Sequence, residues 1–273
     1  MSARAGAGAP LAGVRVVVTR ADRQAGGLAV ALAAAGAMVE PLPLLEVVPP
    51  AEPAPLARAA AELPLYDWVV LTSTNAVHAL LPRAPAALPP RLRTAAVGAA
   101  TAAALRGLGV EPTLVAAAGD ESAGGLLAAL LPHLDCGQRV LLPQAADALP
   151  TLRDGLRAAG IAAVAVAAYD KRLPAAARQR AAELFTGQPI GWVTFTSPSI
   201  VRRFAGLFGG DWPSRRAELR AASIGPVTSA ELRRQGVEPA AEAARPGDTE
   251  LAAAMATAVA AAAAAAPAAP TGG

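Results

Sequence analysis

The sequence predicts an α/β protein of two similar parallel-sheet units, and three observations predict it. The chain repeats itself once, short apolar runs alternate with helical patterns inside each repeat, and two extended segments interrupt the alternation at equivalent places. Gly13–Val18 matches Gly137–Leu142 and Trp68–Ser73 matches Trp192–Ser197, both offset by 124 positions. Leu92–Gly98 matches Leu219–Gly225, Thr101 matches Thr228, and Gly109–Pro112 matches Gly236–Pro239, all offset by 127. A register that slips once by three residues is hard to reach by chance, and a unit this long is no solenoid repeat. It implies two similar domains or two halves of one sheet.

The elements follow in order. Val14–Thr19 is a buried strand, after which Leu28, Leu32 and Ala35 share one helical face and Gly36 suits a C-cap. Trp68–Thr72 is a strand and Thr74–Leu81 a helix; Ala95–Gly98 is a strand and Thr101–Leu108 a helix closed by Gly109. Pro112–Ala116 is a strand, Ser122–Leu131 a helix, and the second repeat runs through the same order. Unbroken apolar strands between helices indicate a parallel sheet covered on both faces, hence flavodoxin-like layers. Met38–Val48 and Val164–Leu173 do not fit. Prolines 41, 43, 49 and 174 keep them extended, and they read as a two-stranded connector crossed twice. One domain is then discontinuous.

Composition narrows the function classes. The 273 residues are 54% hydrophobic but only 3% aromatic, so the cores rest on Ala, Val and Leu. The charge is +3, almost all of the basic side chains are arginine, and Lys171 is the one lysine. No basic cluster with interleaved aromatics is present, which argues against nucleic acid as a partner. Cys136 is the lone cysteine, so no internal disulfide forms, and it reads as a packed thiol. Neither a signal peptide within Met1–Gly13 nor a membrane-spanning run is visible; Leu251–Pro267 is nearly all alanine, too weakly apolar for a span, and Leu251–Ala266 extends the last helix. The expectation is a cytoplasmic, soluble monomer whose tail after Pro267 is disordered.

In open α/β sheets ligands bind beyond the carboxyl ends of the strands. The polar residues there are Thr19 and Arg20, Thr72, Ser73, Thr74 and Asn75, Gly98 with Thr101, Thr196, Ser197 and Ser199, and Gly225 with Thr228. Each set leads into a helix, whose free amides and positive dipole end favour carboxylates and phosphates. Each residue also has a plain structural reading: Ser, Thr and Asn there are helix N-caps, and Gly98 and Gly225 either admit a ligand to the backbone or make tight turns. Tyr169 lies in a connector, where its phenol is either a proton donor or an anchor between domains, whereas Tyr66 reads as structural. His78 and His133 have no ligand partners at metal spacing, and no nucleotide, dinucleotide or Ser/His/Asp motif occurs.

Val18-Thr19-Arg20, Pro43-Leu44-Leu45-Glu46, Thr72-Ser73-Thr74-Asn75-Ala76-Val77, Val97-Gly98-Ala99-Ala100-Thr101, Tyr169, Phe195-Thr196-Ser197-Pro198-Ser199 and Ile224-Gly225-Pro226-Val227-Thr228 occur in that order over residues 13 to 255. As an ordered set they resemble the uroporphyrinogen-III synthases. The resemblance implies two flavodoxin-like domains joined by a two-stranded ladder, an active site in the cleft between them, and a first strand and helix that pack with the C-terminal half, so that residues 1–38 with 172–273 form one discontinuous domain, 47–164 the other, and 39–46 with 165–171 the connectors. It implies hydroxymethylbilane, a linear tetrapyrrole polycarboxylate, as substrate, dehydrated and cyclised with inversion of ring D through a spiro intermediate, with no cofactor or metal. The family's tyrosine falls on Tyr169 and its motif threonines on Thr101 and Thr228, which makes Tyr169 and Thr228 the expected catalytic residues and adds Thr101 to the substrate-binding set. Ala21-Asp22, where a proline is common, and Val227, where a small polar residue is frequent, depart from the pattern. Two other classes use the same architecture: a non-catalytic two-lobed module sensing a small anion, and a flavin-carrying electron-transfer protein, which the scarcity of aromatics disfavours.

Overall fold

The computed structural model describes residues 9–20 and 22–265, apart from the side chains of residues 22–26. The tail after Pro267, the first eight residues, Ala21 and the end of the last helix at Ala266 lie outside the described residues. The chain is mixed α/β and divides into two compact units, residues 1–46 with 173–273 and residues 47–172.

The first unit holds a five-stranded sheet of β1 (Arg15–Val18), β2 (Met38–Pro41), β9 (Gly191–Phe195), β10 (Leu219–Ser223) and β11 (Ala241–Glu242), in the order β2-β1-β9-β10-β11. Every neighbour is parallel; β1 sits between Val39 of β2 and Trp192 of β9 at Val16. Side chains alternate across the sheet. Val17, Val193, Phe195 and Ala221 face α7 (Ala177–Phe185), α8 (Pro198–Phe208) and α10 (Pro226–Arg234). Val16, Val18, Trp192 and Ala222 face α1 (Asp22–Ala34) and α11 (Asp248–Ala265). Leu28 and Leu32 are fully buried, and Gly36 after them takes φ +92°, the left-handed stop the sequence predicts. Three phenylalanines and Trp212, which opens the short α9 (Trp212–Arg215), pack edge to face around the buried Phe204.

The second unit's sheet runs β3-β8-β7-β4-β5-β6, from β3 (Glu46–Val48), β8 (Ala162–Arg172), β7 (Arg139–Ala145), β4 (Trp68–Leu71), β5 (Arg93–Ala96) and β6 (Leu114–Val115). From β8 to β6 all pairs are parallel. One face is covered by α2 (Ala54–Ala61), α3 (Thr74–Leu80) and α4 (Ala99–Gly107), the other by α5 (Ala123–Leu130) and α6 (Thr151–Ala158). β7 stands in this sheet where its sequence counterpart β1 stands in the other, so each sheet combines strands from both halves of the repeat. With the strands of each sheet numbered as they occur along the repeat, the shared order is 2-1-3-4-5.

Residues 165–171 belong to the eleven-residue β8, whose partner β7 is paired through Tyr169. The run Val164–Tyr169 is apolar on both faces, so it completes a sheet. Cys136 is exposed rather than packed, because it lies in the turn that Gly137, at φ +87°, makes ahead of β7.

Candidate active site

The strand ends place the expected residues in two groups, one in each unit. In the second unit Thr72, Ser73 and Asn75 follow β4, and Ser73 is the N-cap of α3, accepting a hydrogen bond from the Ala76 amide at 3.2 Å. Its hydroxyl also meets the Tyr169 phenol oxygen at 3.0 Å. Tyr169 is 7% exposed, and its main chain is held to β7 by the bond that the Ala146 amide donates to its carbonyl. Asn75, His78, Arg83, Val47–Pro50, Ala168 and Tyr169 surround a pocket of about 220 Å³. The Lys171 ammonium lies 5.8 Å from the Tyr169 ring centre and 3.4 Å from an Asp147 carboxylate oxygen. The phenol therefore sits where an apolar wall meets several polar groups, the setting of a small-molecule site.

Gly98 is the N-cap of α4, with extended backbone. The amide that follows it, Ala99, donates at 3.2 Å to the Glu121 carboxylate. A carboxylate at this helix start is the interaction that dipole and free amides favour, here supplied by the chain itself. In the first unit the equivalent Gly225 starts α10, and the hydroxyl of Ser223 serves the turn by donating to the Gly225 carbonyl at 2.9 Å and accepting from its amide at 3.3 Å. Ser197 caps α8 through the Ile200 amide and meets the Ser199 hydroxyl at 3.0 Å. The capping reading thus holds for Ser73 and Ser197, with a further hydroxyl contact at each.

Thr101 and Thr228 are 4% and 3% exposed, so their hydroxyls face the fold in the first turns of α4 and α10. Arg20 pairs with Asp248 at 2.8 Å, and Thr19 is buried, donating to the Thr194 carbonyl. Gly27 permits that pair, since a Cβ there would stand 2.5 Å from an Asp248 carboxylate oxygen. Sequence reasoning assigned no role to Glu121, Ser223, Lys171 or the pocket residues His78 and Arg83. Lys171, the lone lysine two residues from Tyr169, was the one signal available. Among the described residues no group of His, Cys, Asp and Glu could hold a metal ion, and no helix is long and apolar enough to cross a membrane.

The family model described as uroporphyrinogen-III synthase HemD matches residues 27–253. The chain belongs to the uroporphyrinogen-III synthase family. A uroporphyrinogen-III synthase of Synechococcus elongatus is 33% identical over 231 residues, covering 81% of this chain and 86% of that protein. Among solved structures, a mutant uroporphyrinogen III synthase of Thermus thermophilus has a TM-score of 0.61 at 23% identity, over 90% of this chain and 98% of that one. The Helicobacter pylori uroporphyrinogen-III synthetase has 0.60 at 20%, over 89% and 98%. These two structures share the family's fold with this chain.

Proposed function

We propose that this chain is a uroporphyrinogen-III synthase, a cyclising lyase that converts hydroxymethylbilane to uroporphyrinogen III with loss of water and inversion of ring D. The observation that carries this is the family match, which takes in every proposed site residue except Arg20. The repeat supports reading the units as two flavodoxin-like copies of one ancestor. The protein acts as a monomer without a cofactor.

The chemistry asks little covalent work of the protein. A pyrrole nitrogen lone pair of the substrate expels the terminal hydroxyl, which leaves as water once protonated, and the resulting cation is attacked by the ring D carbon. The protein's share is to curl a flexible chain so that its ends meet and to keep water from the cation. Tyr169 donates the proton to the leaving hydroxyl. The strand-end residues Arg20, Thr72, Asn75, Gly98, Ser197, Ser199 and Gly225 hold the substrate's carboxylates, each charge-assisted hydrogen bond contributing about 1.5–3 kcal/mol, whereas the Ser73 hydroxyl, expected from its strand-end position to bind substrate, is engaged by the Tyr169 phenol instead. Thr101 and Thr228, being buried, act by fixing the helix starts from which amides are presented.

The test is incubation of the purified chain with hydroxymethylbilane and separation of the two ring isomers. The expected product is the inverted isomer. Formation of the spontaneous, non-inverted isomer alone would overturn the reading.

A further inference from the structure

We infer that Ser73 is a positioning residue for Tyr169: it donates its hydroxyl proton to the phenol oxygen, and a bulge in β8 brings the phenol to it. The inference deepens the function proposed above and rests on it.

The bulge is visible in the strand's own alternation. Ala163 and Ala165 face the α5 and α6 side of the sheet, whereas Val164 and Val166 face the α2 and α3 side. A regular strand would continue this period of two and put Tyr169 with Ala163 and Ala165. Instead Gln144 pairs with Ala167 and Ala145 with Tyr169, so Ala168 is an extra residue on β8. Ala168 and Tyr169 both pack on the α3 side. One inserted residue has re-aimed the side chain, which is what bulges do beside functional sites. Without it the phenol would lie on the far face from Ser73.

The direction of the Ser73–Tyr169 hydrogen bond follows from what each oxygen already does. Ser73 Oγ accepts from the Ala76 amide, so its own proton is available to donate. If the phenol donated to Ser73, its proton would be committed there and lost to the leaving hydroxyl. With Ser73 donating, the phenol proton is left for the substrate, and the bond to its oxygen strengthens as negative charge builds there. The Ala76 amide polarises Ser73 in the same sense, so the bonds run as one chain from amide to hydroxyl to phenol. The step balances: the phenol proton goes to the departing hydroxyl, the C–O bonding pair leaves with that oxygen as water, and the phenolate regains the proton released when ring closure restores the aromatic pyrrole.

Three variants separate this role from the helix cap. Ser73→Ala removes cap and donor; Ser73→Asp keeps a cap acceptor for the Ala76 amide but donates nothing; Ser73→Thr keeps both. Turnover of hydroxymethylbilane is measured for the native protein, for each variant, and for Ser73→Ala combined with Tyr169→Phe. The expected result is a kcat lower by about 10- to 100-fold in Ala and Asp, the worth of one hydrogen bond to a charged group, with KM within about twofold, and recovery of most of the loss in Thr. The double variant should be no slower than Tyr169→Phe alone, because the donor matters only through the phenol. Asp turning over like the native protein, or the two losses multiplying, would overturn the assignment while leaving the functional reading intact. A native chain that makes no inverted isomer would overturn the functional reading first.

Discussion

Gly225→Ala decides whether the glycine after β10 serves a ligand or only a turn. Its backbone is extended, at φ 161°, so an alanine is not strained there. A Cβ would meet nothing nearer than Pro246 Cγ at 3.8 Å, an ordinary contact, and the paired bonds with Ser223 involve only main-chain atoms of Gly225. What remains is the poorer N-cap, about 0.5–1 kcal/mol, or a fall in Tm of roughly 1–4 °C for a chain of this size. A methyl group on the strand-end backbone would, however, block a substrate carboxylate from the α10 amides. Loss of one such contact raises KM about tenfold, equivalent to about 1.4 kcal/mol. The assay is isomer-resolved turnover at varied hydroxymethylbilane, with a thermal melt of the same preparation. An unchanged KM beside the small Tm shift would refute ligand approach at Gly225. The paired Gly98→Ala differs, because its Cβ would stand 2.6 Å from the Glu121 carboxyl group, whose exposed side chain must then swing away from the Ala99 amide.

Other predictions follow from the same structure. Tyr169→Phe should lower kcat about 10²-fold with the protein still folded, as removal of a general acid does, and an unchanged rate would remove that role. Phe204→Ala empties the centre of the aromatic cluster and should cost about 3–5 kcal/mol in denaturant unfolding, with loss below about 1 kcal/mol counting against the packing described. Glu231 ties α10 to α8 while buried: burial pushes its carboxyl up, but the hydrogen bond from Gln235 and the guanidiniums of Arg202 and Arg234 outweigh this and hold it below the usual carboxylate range. Glu231→Ala should therefore cost about 2 kcal/mol at neutral pH. Because the folded value is the lower one, the difference from the native protein is full above about pH 4.5 and shrinks as pH falls through the folded value, which unfolding curves at several pH values would show.

Much of the site was legible because strand ends, caps and glycines carry local signals. Ser73 and Ser197 follow apolar runs and open helical patterns, and both are caps in the structure. Tyr169 stood out as one of two tyrosines, but its neighbourhood did not. Glu121 reaches the Ala99 amide across 22 residues of sequence, and His78 and Arg83 border the phenol's pocket from another element. No local pattern encodes such meetings.

The sequence alone determined the alternation of buried strands and helices, the repeat, and the polar residues at the strand ends, since each rests on side-chain periodicity within one element. The residues alone left open which strands join which sheet, because the repeat makes the partners of β1 and β7 nearly equivalent in pattern; the family resemblance supplied that the first strand packs with the C-terminal half. Only the tertiary structure decided that β1 pairs with β9 while β7 pairs with β4, and that one extra residue at Ala168 turns the Tyr169 phenol onto Ser73. Both are matters of long-range register, and register is set by packing between elements rather than by the pattern inside any one of them.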